Sequence, residues 1–100
     1  AEAVDQGGKS GQIVVTGLAT PNDMKRFVKS GTVKSIVLWN TIDLGYLTVY
    51  VAEGLASGRL KPDATVVSAG RLGDKRVSGD HVLLGDILVF TAENIDDYDF

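Results

Sequence analysis

Residues 36–47 read IVLWNTIDLGYL. Ile36, Val37, Leu38 and Trp39 form an apolar run that ends at Asn40. A short β-branched run of this kind reads as a buried strand. Within a few residues the pattern changes: Leu44, Leu47, Val51 and Leu55 fall at helical spacing. A strand passing directly into a helix is half of an α/β unit. Trp39 is the only tryptophan in the chain. On the residues alone, Trp39 either closes the core with Asn40 starting the helix, or the pair faces a ligand.

Working outward, the strand spans Val33–Trp39 and the helix runs from Leu44 to about Ser57. Asp43 or Thr41 is the expected cap, and Gly58 the terminator. Tyr46, Val49 and Tyr50 make this helix apolar almost all round, which predicts packing on more than one side. Upstream, Ile13–Leu18 reads as a short strand buried on both faces. In ATPNDMKRFVKSG, Thr20 is the expected N-cap and Pro21 the first helical residue. Met24, Phe27 and Val28 follow at helical spacing, and Gly31 closes the element. Ala1–Gln6 reads as the end of a helix stopped by Gly7-Gly8, so we expect the chain to begin mid-protein.

The order α-β-α-β-α with short connections predicts a parallel sheet with right-handed crossovers. After Pro62, Val/Leu runs broken by Gly70, Gly73, Gly79 and Gly85 read as short strands and turns. Thr91 is the expected cap of one short C-terminal helical turn. The fold class is therefore α/β. We expect residues 1–100 to form a single unit.

Composition narrows the function. The chain is 44% hydrophobic and 23% charged, which is globular in character, with a net charge of −3. An acidic balance argues against nucleic acid. The basic clusters Lys25-Arg26-Lys29 and Arg71-Lys75-Arg76 read as solvated faces. The absence of cysteine excludes disulfides and thiolate metal sites. No run approaches the about 18 apolar residues of a membrane span.

Catalytic candidates are few. Gly7–Gly11, GGKSG, has Ala3 where a phosphate-binding loop needs its first glycine, and its flanking order is reversed. It reads as a helix exit. His81 is the only histidine and has no nucleophile elbow to serve, so it reads as a surface turn residue. It is also too few for zinc. Asp96, Asp97 and Asp99 fit calcium spacing poorly, and Tyr98 and Phe100 favour docking of the tail. We expect no catalytic residue, no metal and no cofactor.

Two segments carry more. In open α/β sheets, ligands bind beyond the carboxyl ends of parallel strands. Ala19, Thr20, Pro21 and Asn22 follow the first strand, and Trp39, Asn40 and Thr41 follow the second. An amide matches a hydroxyl with donors and an acceptor, and an indole gives a flat apolar face to a sugar ring.

At these segments the sequence resembles a known family. VVTGLATPNDMKRFVKSGTVKSIVLWNTIDLGYLTVYVAEGLASGRLK (14–61) and AGRLGDKRVSGDHVLLGDILVFTAENIDDYDF (69–100) resemble the C-terminal lobe of type I periplasmic sugar-binding proteins of bacterial ABC importers. The most similar branch is the rhamnose-binding proteins, and the autoinducer-2-binding proteins are related. The resemblance implies a partial C-terminal lobe without its N-terminal lobe. It implies no enzyme activity, and a periplasmic or extracytoplasmic location. The implied partners are a monosaccharide, an ABC permease in the membrane, and the remainder of the parent protein or another copy of the chain. Nucleic acid is not among them. Carried over by position, Asn40 would hydrogen-bond sugar hydroxyls with Trp39 beside it. Thr20, Ala19 and Asn22 would line the same pocket, although Ala19 stands where relatives carry an acid, so that contact does not transfer. The alternatives are an autoinducer-2-binding protein of the same fold, or an oligomerising α/β unit that binds no ligand.

Overall fold

A computed structural model describes residues 1–100 as helices and short strands grouped in two compact units. The first comprises Ala1–Leu38 and Ile87–Phe100, the second Trp39–Asp86. Helices α1 (Glu2–Gln6) and α2 (Pro21–Lys29) precede strand β1 (Ile36–Leu38) and helix α3 (Thr41–Ala56). Strands β2 (Val66–Ser68), β3 (Asp74–Ser78), β4 (His81–Val82) and β5 (Leu88–Phe90) follow. Short 3-10 turns lie at Gly70–Leu72 and Ile95–Asp97. The mixed α/β class read from the sequence holds.

In the first unit, β1 pairs antiparallel with β5, Ile36 opposite Phe90 and Leu38 opposite Leu88. Strand alternation sends Ile36, Leu38 and Phe90 into the core. There they meet Phe27 and Val28 of α2, Val33 and Ile95. Tyr98 and Phe100 close over Phe90 edge-to-face, with ring centroids 4.8 and 6.1 Å away. The C-terminal tail is thus docked by its aromatics, as the sequence predicts. Helix α2 ends at Ser30, and Gly31 follows at φ 81, a left-handed conformation that favours glycine.

Ile13–Leu18 differs from its expected form. It makes no regular strand and meets β1 at one parallel bridge, Leu18 to Val37, with the Val37 N–H donating to the Gly17 carbonyl at 3.0 Å. Val14 is 83% exposed and Leu18 64%. A strand is buried on both faces only where elements cover both, and nothing in this unit covers these side chains. The regular ladders are all antiparallel, so the expected parallel pairing survives only as that bridge.

In the second unit, β2, β3 and β4 form an antiparallel meander. Gly79 and Asp80 make the two-residue turn between β3 and β4, with Gly79 at φ 62. Helix α3 packs on β2 and on the Gly70–Leu72 turn. Leu47 and Gly54 of the helix are buried, and Val67 of β2 and Ala69 beyond it are the other buried residues of this unit. The expectation of packing on several sides fails here: Val49 is 67% exposed and Ile42 60%. One small meander covers only one stripe of a helix.

Candidate functional site

The first segment, Ala19 to Asn22, opens α2. Thr20 is the N-cap: its Oγ1 accepts from the Asp23 N–H at 3.3 Å and donates to Asp23 Oδ2 at 2.7 Å. Pro21 takes the first helical position, where no N–H is needed. Asn22 Nδ2 donates to Asp99 Oδ1 at 3.0 Å, and its backbone N–H to the Phe100 carbonyl at 3.3 Å. Ala19 is half-buried against the core. Most polar capacity of this segment is therefore spent inside the first unit. The Asn22 side-chain oxygen accepts no bond there.

The second segment opens α3. Trp39 is 41% exposed, so it is not a core residue. The cap of α3 is Asn40, not Asp43 or Thr41 as the sequence predicts. Its Oδ1 accepts from the N–H groups of Ile42 at 3.0 Å and Asp43 at 3.1 Å. Asparagine competes well for this role because its short amide reaches the second and third helical N–H groups. With Oδ1 occupied twice, the two N–H donors of Nδ2 remain without a protein partner. Asn40 can thus donate to an oxygen ligand while it caps the helix.

Asp43 and Tyr46, read from the sequence as a cap and an apolar helix residue, share a partner that the sequence does not show. Arg71 reads from the sequence as part of a solvated cluster, yet its Nη2 donates to Asp43 Oδ1 at 2.6 Å. Its guanidinium lies 4.5 Å over the Tyr46 ring, and its backbone N–H donates to the Tyr46 hydroxyl at 3.4 Å. The hydroxyls of Tyr46 and Tyr50 share a hydrogen bond at 3.2 Å. Hydrogen bonding from Tyr50, then from the Arg71 N–H, holds the Tyr46 pKa below its ordinary 10.0. The same contact raises that of Tyr50. The legible signal is Asp43-x-x-Tyr46, a polar pair on one face of a helix.

The remaining candidates fall where the sequence puts them. Gly7–Gly11 leaves α1 as a loop. His81 sits beside the Gly79–Asp80 turn, its Nδ1 2.6 Å from Asp80 Oδ1, both side chains exposed. Asp96 is ion-paired with Lys29, and with Lys25 at 3.7 Å. A cavity of about 400 Å³ in the second unit lies among Tyr50, Arg59, Leu60 and Val67, and neither Trp39 nor Asn40 lines it.

The sequence profile of the periplasmic binding protein domain matches residues 1–60, a stretch containing both segments. The chain belongs to the periplasmic binding protein family. A crystal structure of a sugar ABC transporter from Actinomyces odontolyticus is similar to this periplasmic binding protein, with a TM-score of 0.81 and 39% identity. The match covers 99% of this chain and 32% of that one. LsrB from Clostridium saccharobutylicum in complex with AI-2 is similar at a TM-score of 0.82 and 25% identity, covering 99% of this chain and 35% of LsrB. This periplasmic binding protein chain therefore spans about a third of the length of the structures it matches.

Proposed function

We propose that residues 1–100 are part of the C-terminal lobe of the solute-binding component of a bacterial ABC sugar importer. The parent protein would bind a monosaccharide between two lobes, close around it, and present the closed form to a membrane permease outside the cytoplasm. Such a cycle needs no bond to be made or broken, so the chain is not an enzyme in this reading. The observation that carries the proposal is Asn40: a helix cap whose Nδ2 donors are free, next to a half-exposed Trp39. An indole face and two amide donors suit the C–H face and hydroxyls of a sugar. Thr20, Ala19 and Asn22 are the further contacts we assign. Of these, Asn22 offers a free acceptor, and Thr20 is held by its cap.

Rhamnose is the sugar this reading favours. The likeness to an AI-2 complex supports AI-2 as the second candidate. The exposed Ile13, Val14 and Leu18 support an association with the remainder of the parent protein or with another copy. Calorimetry on the full-length parent protein with L-rhamnose, D-ribose and AI-2 tests the function. Heat with one of them, lost in Asn40→Ala, is the expected result. No heat with any of the three overturns it.

A further inference from the structure

Asn40 has a third unpartnered donor. Its backbone N–H reaches no acceptor in the protein. In a capping box, the acidic side chain three residues into the helix turns back and accepts that N–H. Asp43 occupies this position, since Asn40 is the N-cap and Thr41 opens the helix. Its carboxylate is instead drawn away by Arg71, whose Nη2 lies 2.6 Å from Oδ1. Arg71 is itself fixed twice, by stacking on Tyr46 and by the bond from its backbone N–H to the Tyr46 hydroxyl. Gly70 lets the loop come this close. Its φ is +54, and a Cβ there would lie 2.4 Å from the Tyr50 hydroxyl oxygen and 2.5 Å from that of Tyr46.

The geometry points to Arg71 as a positioning residue that holds Asp43 out of its capping box and so keeps the Asn40 backbone N–H, like Nδ2, without a protein acceptor. This inference rests on the sugar-binding reading and deepens it. Asn40 then offers three unpartnered donors, which favours an oxygen-rich, acceptor-bearing ligand such as one with vicinal hydroxyls. Remove the guanidinium and Asp43 is free to take the N–H as a charge-assisted internal competitor.

The test is a pair of variants in the full-length parent protein, titrated in parallel with L-rhamnose, D-ribose and AI-2. Arg71→Met is expected to raise the Kd about tenfold, the scale of one competing charge-assisted hydrogen bond. Arg71→Met with Asp43→Ala is expected to bring the Kd back to within about twofold of the unaltered protein, because the competitor is gone. A purely structural Arg71 would leave the double variant as weak as the single one, and that result, or an unchanged Kd in Arg71→Met, overturns the inference. Arg71→Gln serves the same comparison if the methionine variant does not fold. Amide hydrogen exchange at Asn40 is the readout that does not need a ligand. Arg71→Met is expected to slow it, and Asp43→Ala in that background to restore it. If the unaltered protein binds none of the three compounds, the sugar reading fails alone. Exchange at Asn40 then decides the inference, and an unchanged rate in Arg71→Met rejects it.

Discussion

The cap that Asn40 provides and the ligand contact we propose for it use different atoms, so they can be separated. Oδ1 caps α3, and Nδ2 is free. Asn40→Asp keeps an acceptor at the cap and removes both amide donors. It should leave the urea midpoint within experimental scatter while weakening sugar binding in the parent protein by about tenfold or more. Asn40→Ala removes both and should also cost about 1 kcal/mol of stability. Equal Kd values for the asparagine and aspartate proteins would contradict the assignment of Nδ2 as the donor. Gly70 gives a second residue-level prediction. Gly70→Ala strains a positive φ and drives a methyl into two tyrosine hydroxyls, so we expect a loss of about 1–3 kcal/mol in chemical denaturation. At this scale the sequence identifies Asn40 and Trp39 as a strand-to-helix corner but assigns the cap to the wrong residue. Thr, Asp and Asn all serve as caps, and only the backbone geometry chooses among Asn40, Thr41 and Asp43. Arg71 was less legible still, because its partner Asp43 is 28 residues away.

Among elements, α2 is the one the sequence describes best. Its cap, its proline and its glycine stop are local signals, and all act over a few residues. What holds the tail against it is not local. Lys29 and Lys25 of α2 pair with Asp96, and Asn22 holds Asp99. Hydrogen bonding from Lys29 first, then the charges of Lys29 and Lys25, keeps the Asp96 pKa below its ordinary 3.8. A carboxylate depressed in this way supports the fold in full above its unfolded pKa and ceases to do so as the pH falls through the lower folded value. Acidification below about pH 4 should therefore loosen the tail, and Asp96→Asn should remove that part of the pH dependence. Tyr98 and Phe100 ring shifts in NMR report it. The effect is small, because the pair is solvent-exposed. Identical acid profiles for the two proteins would exclude Asp96 as the source. Ile13–Leu18 shows the opposite side of element reading: a run can carry strand composition, yet a strand also needs neighbours, and these are not encoded in the run itself.

For the whole molecule, class was legible and pairing was not. Helix periodicity and glycine stops give the α/β class locally. The antiparallel match of β1 with β5 joins residues such as Ile36 and Phe90, whose separation leaves no trace in any short window. The same limit applies to what covers the surface. In the first unit Ile13, Val14 and Leu18 face solvent, and in the second Ile42, Val49 and Leu55 do. Isolated apolar side chains are ordinary on a surface, but runs of them are association sites. Each exposed leucine or isoleucine that becomes buried gains roughly 1.5–3 kcal/mol, so covering even a few competes with the translational cost of association. The 100-residue chain by itself should therefore sediment as a concentration-dependent mixture of monomer and oligomer. Val14→Lys places a charge on the most exposed of these side chains and should shift the mixture toward monomer without unfolding it. Sedimentation velocity across a concentration series, with circular dichroism as the control for folding, measures both. A monodisperse, cooperatively unfolding monomer at all concentrations would mean that these faces are content in water, and would leave sugar binding in the parent protein as the sole role to pursue for this chain.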